Sequence, residues 1–316
     1  MPLPALFQSL RLPVIAAPMF IVSNPELVIA QVRSGIVGSF PALNARPASQ
    51  LDEWLHRIHE ETAGSGVPFA VNLIVHKTNS RLQEDLAILE KWKVSLVITS
   101  LGANVEVNAA VHGWGGIVLH DVIDNTFARK AVEKGADGLI AVAAGAGGHA
   151  GPQSPFALVQ EIREWFDGPL ALSGSIANGR SILAAQAMGA DFAYIGTPWI
   201  ATTEANAAEG YKQAIVDGHA SDIIYSNLFT GVHGNYLRAS IVAAGMDPYN
   251  LPQGDKSQMD FGSGGSSAAK AWKDIWGAGQ GIGAIHRVEP VADRVATLEA
   301  QYEAAKAELQ ARAPIA

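Results

Sequence analysis

Residues 138–152 read Gly-Leu-Ile-Ala-Val-Ala-Ala-Gly-Ala-Gly-Gly-His-Ala-Gly-Pro. The first five are apolar and too few for a helix, which is typical of a strand buried on both faces. A helix-like segment follows at 154–166, so the glycines lie in a strand–helix loop. Glycine allows backbone to approach a flat or phosphorylated ligand closely. His149 is the side chain of this loop that can transfer a proton near neutral pH, and we expect it to act on the ligand.

Seven further apolar runs resemble 138–142, and amphipathic segments separate them. They are 13–17, 35–40, 68–75, 94–99, 115–120, 169–173 and 191–195. Eight strand–helix units without a long interruption predict an α/β fold, a closed (β/α)8 TIM barrel, whereas an open doubly wound sheet is the alternative. Ligands of such barrels bind at the C-terminal ends of the strands, and His149 follows the sixth strand.

The pattern becomes irregular after the eighth unit. We assign residues 1–199 and 290–316 to the barrel with its C-terminal helix, and 200–289 to a smaller, mainly helical cap over the barrel mouth. Within the cap, the glycine- and serine-rich residues 260–267 predict an exposed loop. Apolar spacing predicts a long helix over 291–312.

Composition excludes several kinds of protein. The 316 residues contain no cysteine, which excludes disulfides, thiolate nucleophiles and cysteine metal sites, and no metal-binding motif is found. A net charge of −8 disfavours binding to nucleic acid or anionic membranes. Neither a signal peptide nor an 18-residue apolar span is predicted, so we expect a cytoplasmic protein without a membrane segment.

Two more loops have the character of phosphate sites. Residues 172–179 follow the seventh strand and 194–198 the eighth, where barrels often bind phosphate with backbone amides. The alternative is that their glycines only shape tight turns. Asn72 is an amide within an apolar strand, so it either bridges loops or contacts a heteroaromatic ring. His120 and His233 are candidates for the lining of the substrate pocket.

These motifs together resemble the nitronate monooxygenase family, formerly called 2-nitropropane dioxygenases, which includes the flavin-containing enoyl-acyl-carrier-protein reductases. The resemblance spans nearly the whole chain and is carried by residues 13–19, 71–73, 146–151, 173–175, 188–197 and 277–283. It implies an FMN-dependent enzyme with His149 as the catalytic base, and an imidazole tuned near the working pH suits that role. The implied FMN contacts are Pro18, Met19, Phe20, Asn72, Gly147, Ser173, Gly174, Ser175, Gly196 and Thr197.

The resemblance further implies a nitroalkane or nitronate substrate and dioxygen, and it leaves NAD(P)H use and a homodimer open. The chain departs from many members at Ser175, Asp121 and Val142, and within 230–236, where relatives carry a proline and an arginine after Thr-Gly. These departures spare the phosphate site but change the pocket floor and lid. Two alternatives are an NAD(P)H-dependent FMN reductase of quinones or enoyl thioesters, and a flavin-free barrel that binds a phosphorylated metabolite.

Overall fold

The computed structural model describes residues 3–254 and 274–312. Its main sheet has eight parallel strands in the order β1-β9-β8-β6-β5-β4-β3-β2. They are β1 (Val14–Ala16), β2 (Gly38–Pro41), β3 (Phe69–Ile74), β4 (Leu96–Ser100), β5 (Ile117–Val122), β6 (Gly138–Val142), β8 (Leu170–Ser173) and β9 (Phe192–Ile195). A parallel bridge between Ile15 and Val37 joins β1 to β2 and closes the sheet. The predicted (β/α)8 barrel is therefore confirmed, and each predicted apolar run overlaps one of these strands.

Helices alternate with the barrel strands and continue after the last one. They are α1 (Pro25–Arg33), α2 (Ser49–Thr62), α3 (Leu82–Lys91), α4 (Val105–Gly113), α5 (Asn125–Glu133), α6 (Pro155–Arg163), α7 (Gly179–Ala187), α8 (Thr197–Ile200), α9 (Glu209–Asp217), α10 (Arg238–Ala243) and α11 (Val291–Ala311). Side chains of Asn24, Asn104, Asp124 and Asn178 accept N–H groups at the starts of α1, α4, α5 and α7. These caps fix where the loops at the C-terminal ends of the strands give way to helix.

The barrel interior is filled with side chains toward the N-terminal ends of its strands. Phe7, from a 3-10 turn at residues 5–7, packs on Phe192 at the start of β9 with ring centroids 4.7 Å apart. Ile15, Ile98 and Ile140 belong to the same buried cluster. Because this end is packed with side chains, a ligand reaches the barrel from the C-terminal ends of its strands.

The long helix α11 confirms the helix predicted for 291–312 and packs against the barrel. Gly179, the first residue of α7, lies so close to α11 that a Cβ there would be 2.2 Å from Leu298 O and from Tyr302 N. Within residues 3–254 and 274–312, no helix is long and apolar enough to cross a membrane.

The segment 200–289 contains the helices α9 and α10 and also two strands that the sequence does not predict. A small antiparallel sheet has the order β10-β11-β7, formed by β7 (Gly148–His149), β10 (Ile223–Ser226) and β11 (Gly234–Leu237). β7 lies in the glycine loop after β6, so this sheet joins that loop to the cap segment. The domain bounds 1–199, 200–289 and 290–316 stay predictions, and residues 260–267 fall outside the described residues.

Candidate active site

A cleft of about 2220 Å³ opens at the C-terminal ends of the barrel strands, between the barrel loops and the cap segment. Most of the predicted site residues line it. They are Pro18, Met19, Phe20, Asn72, His120, Gly147, His149, Ser173, Gly196, Thr197 and His233. The sequence-predicted ligand site and this cleft therefore coincide for these residues.

Gly174 and Ser175 are not among the residues that line the cleft. Ser175 has a φ of 57°, and its N–H donates to Gly145 O at 3.3 Å. A Cβ on Gly145 would lie 2.1 Å from Ser175 Oγ. These two residues pack the loop after β8 against the loop after β6, and their direct contact with a cofactor stays a prediction.

Residues 277–281 are inserted between three barrel loops. The N–H of Gly279 donates to Thr197 Oγ1 at 2.9 Å, and the N–H of Gln280 donates to Gly145 O at 2.9 Å. A Cβ on Gly147 would lie 2.8 Å from Gly279 N. Gly147 is therefore needed for the close packing of one loop on another. The sequence interpretation instead explained the glycines of this loop by the close approach of a ligand.

His149 lies in β7, opposite Gly234 of β11. Its Nε2 is 2.9 Å from Thr230 Oγ1. Burial lowers the pKa of His149 to about 4, so its imidazole is neutral at neutral pH. This pKa lies below the value near the working pH that the sequence interpretation expected.

Asn72 bridges two strands beneath the cleft. Its Nδ2 donates to Ile98 O at 3.2 Å and to Ser100 Oγ at 2.7 Å. Both amide protons are therefore engaged, which leaves Oδ1 as the group with which Asn72 can bind a ligand N–H. The two readings of Asn72, as a bridge and as a ring contact, are compatible.

The end of β5 places two titratable side chains at the cleft floor. Thr99 Oγ1 lies 2.6 Å from His120 Nδ1, and burial lowers the pKa of His120. Burial raises the pKa of Asp121, although hydrogen bonds from Ser100 and from the Leu101 N–H act in the opposite direction. Asp121 thus gives this floor a carboxyl group with a raised pKa.

The cleft mouth carries polar groups that sequence reasoning did not single out. His233 stacks on Tyr225 with ring centroids 5.0 Å apart, and the Tyr225 hydroxyl donates to Ala150 O at 2.9 Å. On the opposite side, the Arg46 guanidinium lies 5.7 Å from the centroid of the Phe20 ring. No local pattern marked Tyr225 or Arg46, because both reach the cleft through the fold.

No group of three or more His, Asp or Glu side chains is placed to hold a metal ion within residues 3–254 and 274–312.

Comparisons with known proteins agree with this architecture. A nitronate monooxygenase of Paraburkholderia phytofirmans is 29% identical, over 92% of this chain and 92% of its own. A nitroalkane oxidase from Streptomyces ansochromogenes has a structure with a TM-score of 0.80 and 25% identity, covering 97% of this chain and 100% of that one. FabK from Thermotoga maritima shares the fold, with a TM-score of 0.78, 21% identity and 96% of each chain covered. A family model described as nitronate monooxygenase matches residues 4–300.

Proposed function

This chain belongs to the nitronate monooxygenase family and is an oxidoreductase, and we propose that it oxidises alkyl nitronates and nitroalkanes with bound FMN and dioxygen. The observation that carries the proposal is the placement of His149 in the cleft, at the C-terminal ends of the barrel strands. The matched relatives include a nitronate monooxygenase and a nitroalkane oxidase, which supports this substrate class.

The residues present fit FMN in three respects. Pro18 and Met19 supply an apolar wall for a flat ring system. Asn72 offers an acceptor, because both of its amide protons are engaged with protein. Gly196 and Thr197 line the cleft after the eighth barrel strand, where barrels commonly hold a phosphate.

Bound FMN would supply the electron acceptor that dioxygen reoxidises. The chain's own contribution is proton transfer and exclusion of water. The neutral imidazole of His149 is able to accept the proton on the carbon next to a nitro group, and the pairing of β7 with β11 leaves this ring only partly exposed in the cleft. A substrate supplied as the nitronate has already lost that proton, so it needs the cleft but not the base.

Rapid mixing under anaerobic conditions tests the substrate class. Propyl nitronate should bleach the flavin absorbance of the purified yellow protein, and NADH should not. Rapid bleaching by NADH with no response to the nitronate would instead support a nicotinamide-dependent reductase. A colourless protein that does not take up FMN would support the flavin-free barrel.

Replacement of His149 by Ala separates the base from the rest of the site. The variant should retain FMN and the oxidation of a preformed nitronate, while proton abstraction from the neutral nitroalkane is lost. Unchanged turnover of the neutral nitroalkane would contradict the assignment of His149 as base.

A further inference from the structure

We propose that Thr230 is a positioning residue for His149: its hydroxyl oxygen accepts a hydrogen bond from Nε2–H and thereby sets Nδ1 as the proton-accepting nitrogen. This inference rests on the proposed function, in which His149 is the base. Thr230 lies 81 residues further along the chain and reaches the imidazole through the cap segment.

The proton positions follow from the contacts of one hydroxyl group. Thr230 Oγ1 lies 2.9 Å from His149 Nε2 and 3.0 Å from Val232 O, and the Val232 N–H points to it at 3.3 Å. We assign the single hydroxyl proton of Thr230 to Val232 O, 3.0 Å away, because a carbonyl oxygen can only accept. Toward the imidazole the hydroxyl can then only accept. Nε2 carries the ring proton, and the lone pair of the neutral imidazole is on Nδ1.

The backbone holds the two side chains in this relation. β7 pairs with β11 through the register Gly234 to His149. The strands approach so closely that a Cβ on Gly234 would lie 2.8 Å from Gly148 O. The N–H of Ala150 donates to His233 O at 3.2 Å and continues the pairing. Thr230 lies just before β11, so the strand that pairs with β7 also fixes the position of Thr230.

Water does not readily replace this hydroxyl, because its surroundings are buried. Thr230 is 8% exposed, and Tyr236 of β11 is fully buried beside it. A hydrogen bond in such surroundings fixes ring orientation and tautomer more firmly than one that competes with bulk solvent.

The experiment compares Thr230→Val, which keeps the shape and removes the hydroxyl, with Thr230→Ser, which keeps the hydroxyl. Both are assayed as FMN-loaded proteins on a neutral nitroalkane and on its preformed nitronate. We expect Thr230→Val to lower kcat/KM for the nitroalkane about tenfold, the equivalent of one hydrogen bond, with nitronate turnover unchanged. Thr230→Ser should restore the wild-type ratio of the two rates. An unaltered ratio in Thr230→Val would overturn the inference, as would an equal loss with both substrates.

A second measurement does not depend on turnover or on the folding of Thr230→Val. Nitrogen-15 NMR of the wild-type protein reports which ring nitrogen of His149 is protonated, with the signal assigned by its loss in His149→Gln. We expect the Nε2–H tautomer, and the Nδ1–H tautomer would overturn the inference. If His149→Gln still deprotonates nitroalkanes, the proposed base is wrong, while the tautomer still tests the contact with Thr230. If His149→Gln is inactive on nitroalkanes but Thr230→Val matches the wild type, only the positioning role fails.

Discussion

The partly buried imidazole of His149 makes the stability of the protein depend on pH in a predictable direction. Burial lowers the pKa of His149 from its usual 6.5 to about 4. Because the folded state favours the neutral ring, its contribution to stability is complete above the unfolded pKa and is lost as the pH falls toward the folded one. The full shift corresponds to about 3 kcal/mol, of which about 2 kcal/mol is lost between roughly pH 7.5 and pH 5.

The test replaces His149 by Gln. The glutamine amide does not titrate, and its Nε2 can still donate to Thr230. Urea unfolding of both flavin-free proteins, followed by tryptophan fluorescence, gives the free energy of unfolding at the two pH values. Acidification should destabilise the wild type more than the variant by about 2 kcal/mol, and the comparison cancels every other titrating group. A difference that stays constant with pH would refute the burial of the imidazole. The same low pKa predicts that kcat/KM for a neutral nitroalkane keeps its plateau well below pH 6.5.

Three other predictions concern the packing and charges around the cleft. Gly145→Ala should lower the free energy of unfolding by about 1–3 kcal/mol more than Gly115→Ala, and it should reduce the FMN content. The two glycines have nearly the same φ, 84° and 85°, but only at Gly145 would a Cβ meet a serine hydroxyl, at 2.1 Å. Asp121→Asn should raise the melting temperature at pH 7, because burial raises the pKa of this carboxyl and its ionised form opposes folding; the gain should shrink as the pH falls. Arg294→Met should cost about 1–2 kcal/mol in urea unfolding, since it removes one of the two guanidinium groups that pair with the buried Glu289 and leaves only that of Arg287, and Glu289→Gln in the same protein should recover part of that loss.

The barrel could be predicted because each of its strands carries its own signal. A strand buried on both faces must be apolar along its length, as β6 is. Such a strand can therefore be recognised from the sequence without knowing the order of the strands in the sheet. The position of His149 after the sixth strand then followed from the rule that ligands bind at the C-terminal ends of the strands. The capping residues Asn104 and Asp124 add local signals of the same kind.

The small sheet and its contacts could not be predicted in this way. β7 has two residues, one of them glycine, and no alternation of apolar and polar positions marks it. The contact between His149 and Thr230 joins residues 81 positions apart, so it exists only once β7 and β11 have paired. A cofactor contact for Gly174 and Ser175 stays a prediction, since a glycine-rich loop has the same sequence character when a ligand approaches it as when another loop does.

The two sides of the cleft are therefore held by different kinds of contact, and this has a consequence for substrate choice. The barrel loops interlock through backbone, so that added Cβ atoms at Gly147 or Gly279 would displace main chain at 2.8 and 2.7 Å. Besides the backbone pairing of β11 with β7, the cap side presents side chains to the cleft, such as Thr230 against the base and His233 stacked on Tyr225. Side-chain contacts can be exchanged without moving main chain, whereas the interlocked loops cannot change without disturbing the proposed phosphate site. We infer that side-chain changes at Thr230 and His233 alter the substrate and the efficiency of proton transfer while FMN binding is retained.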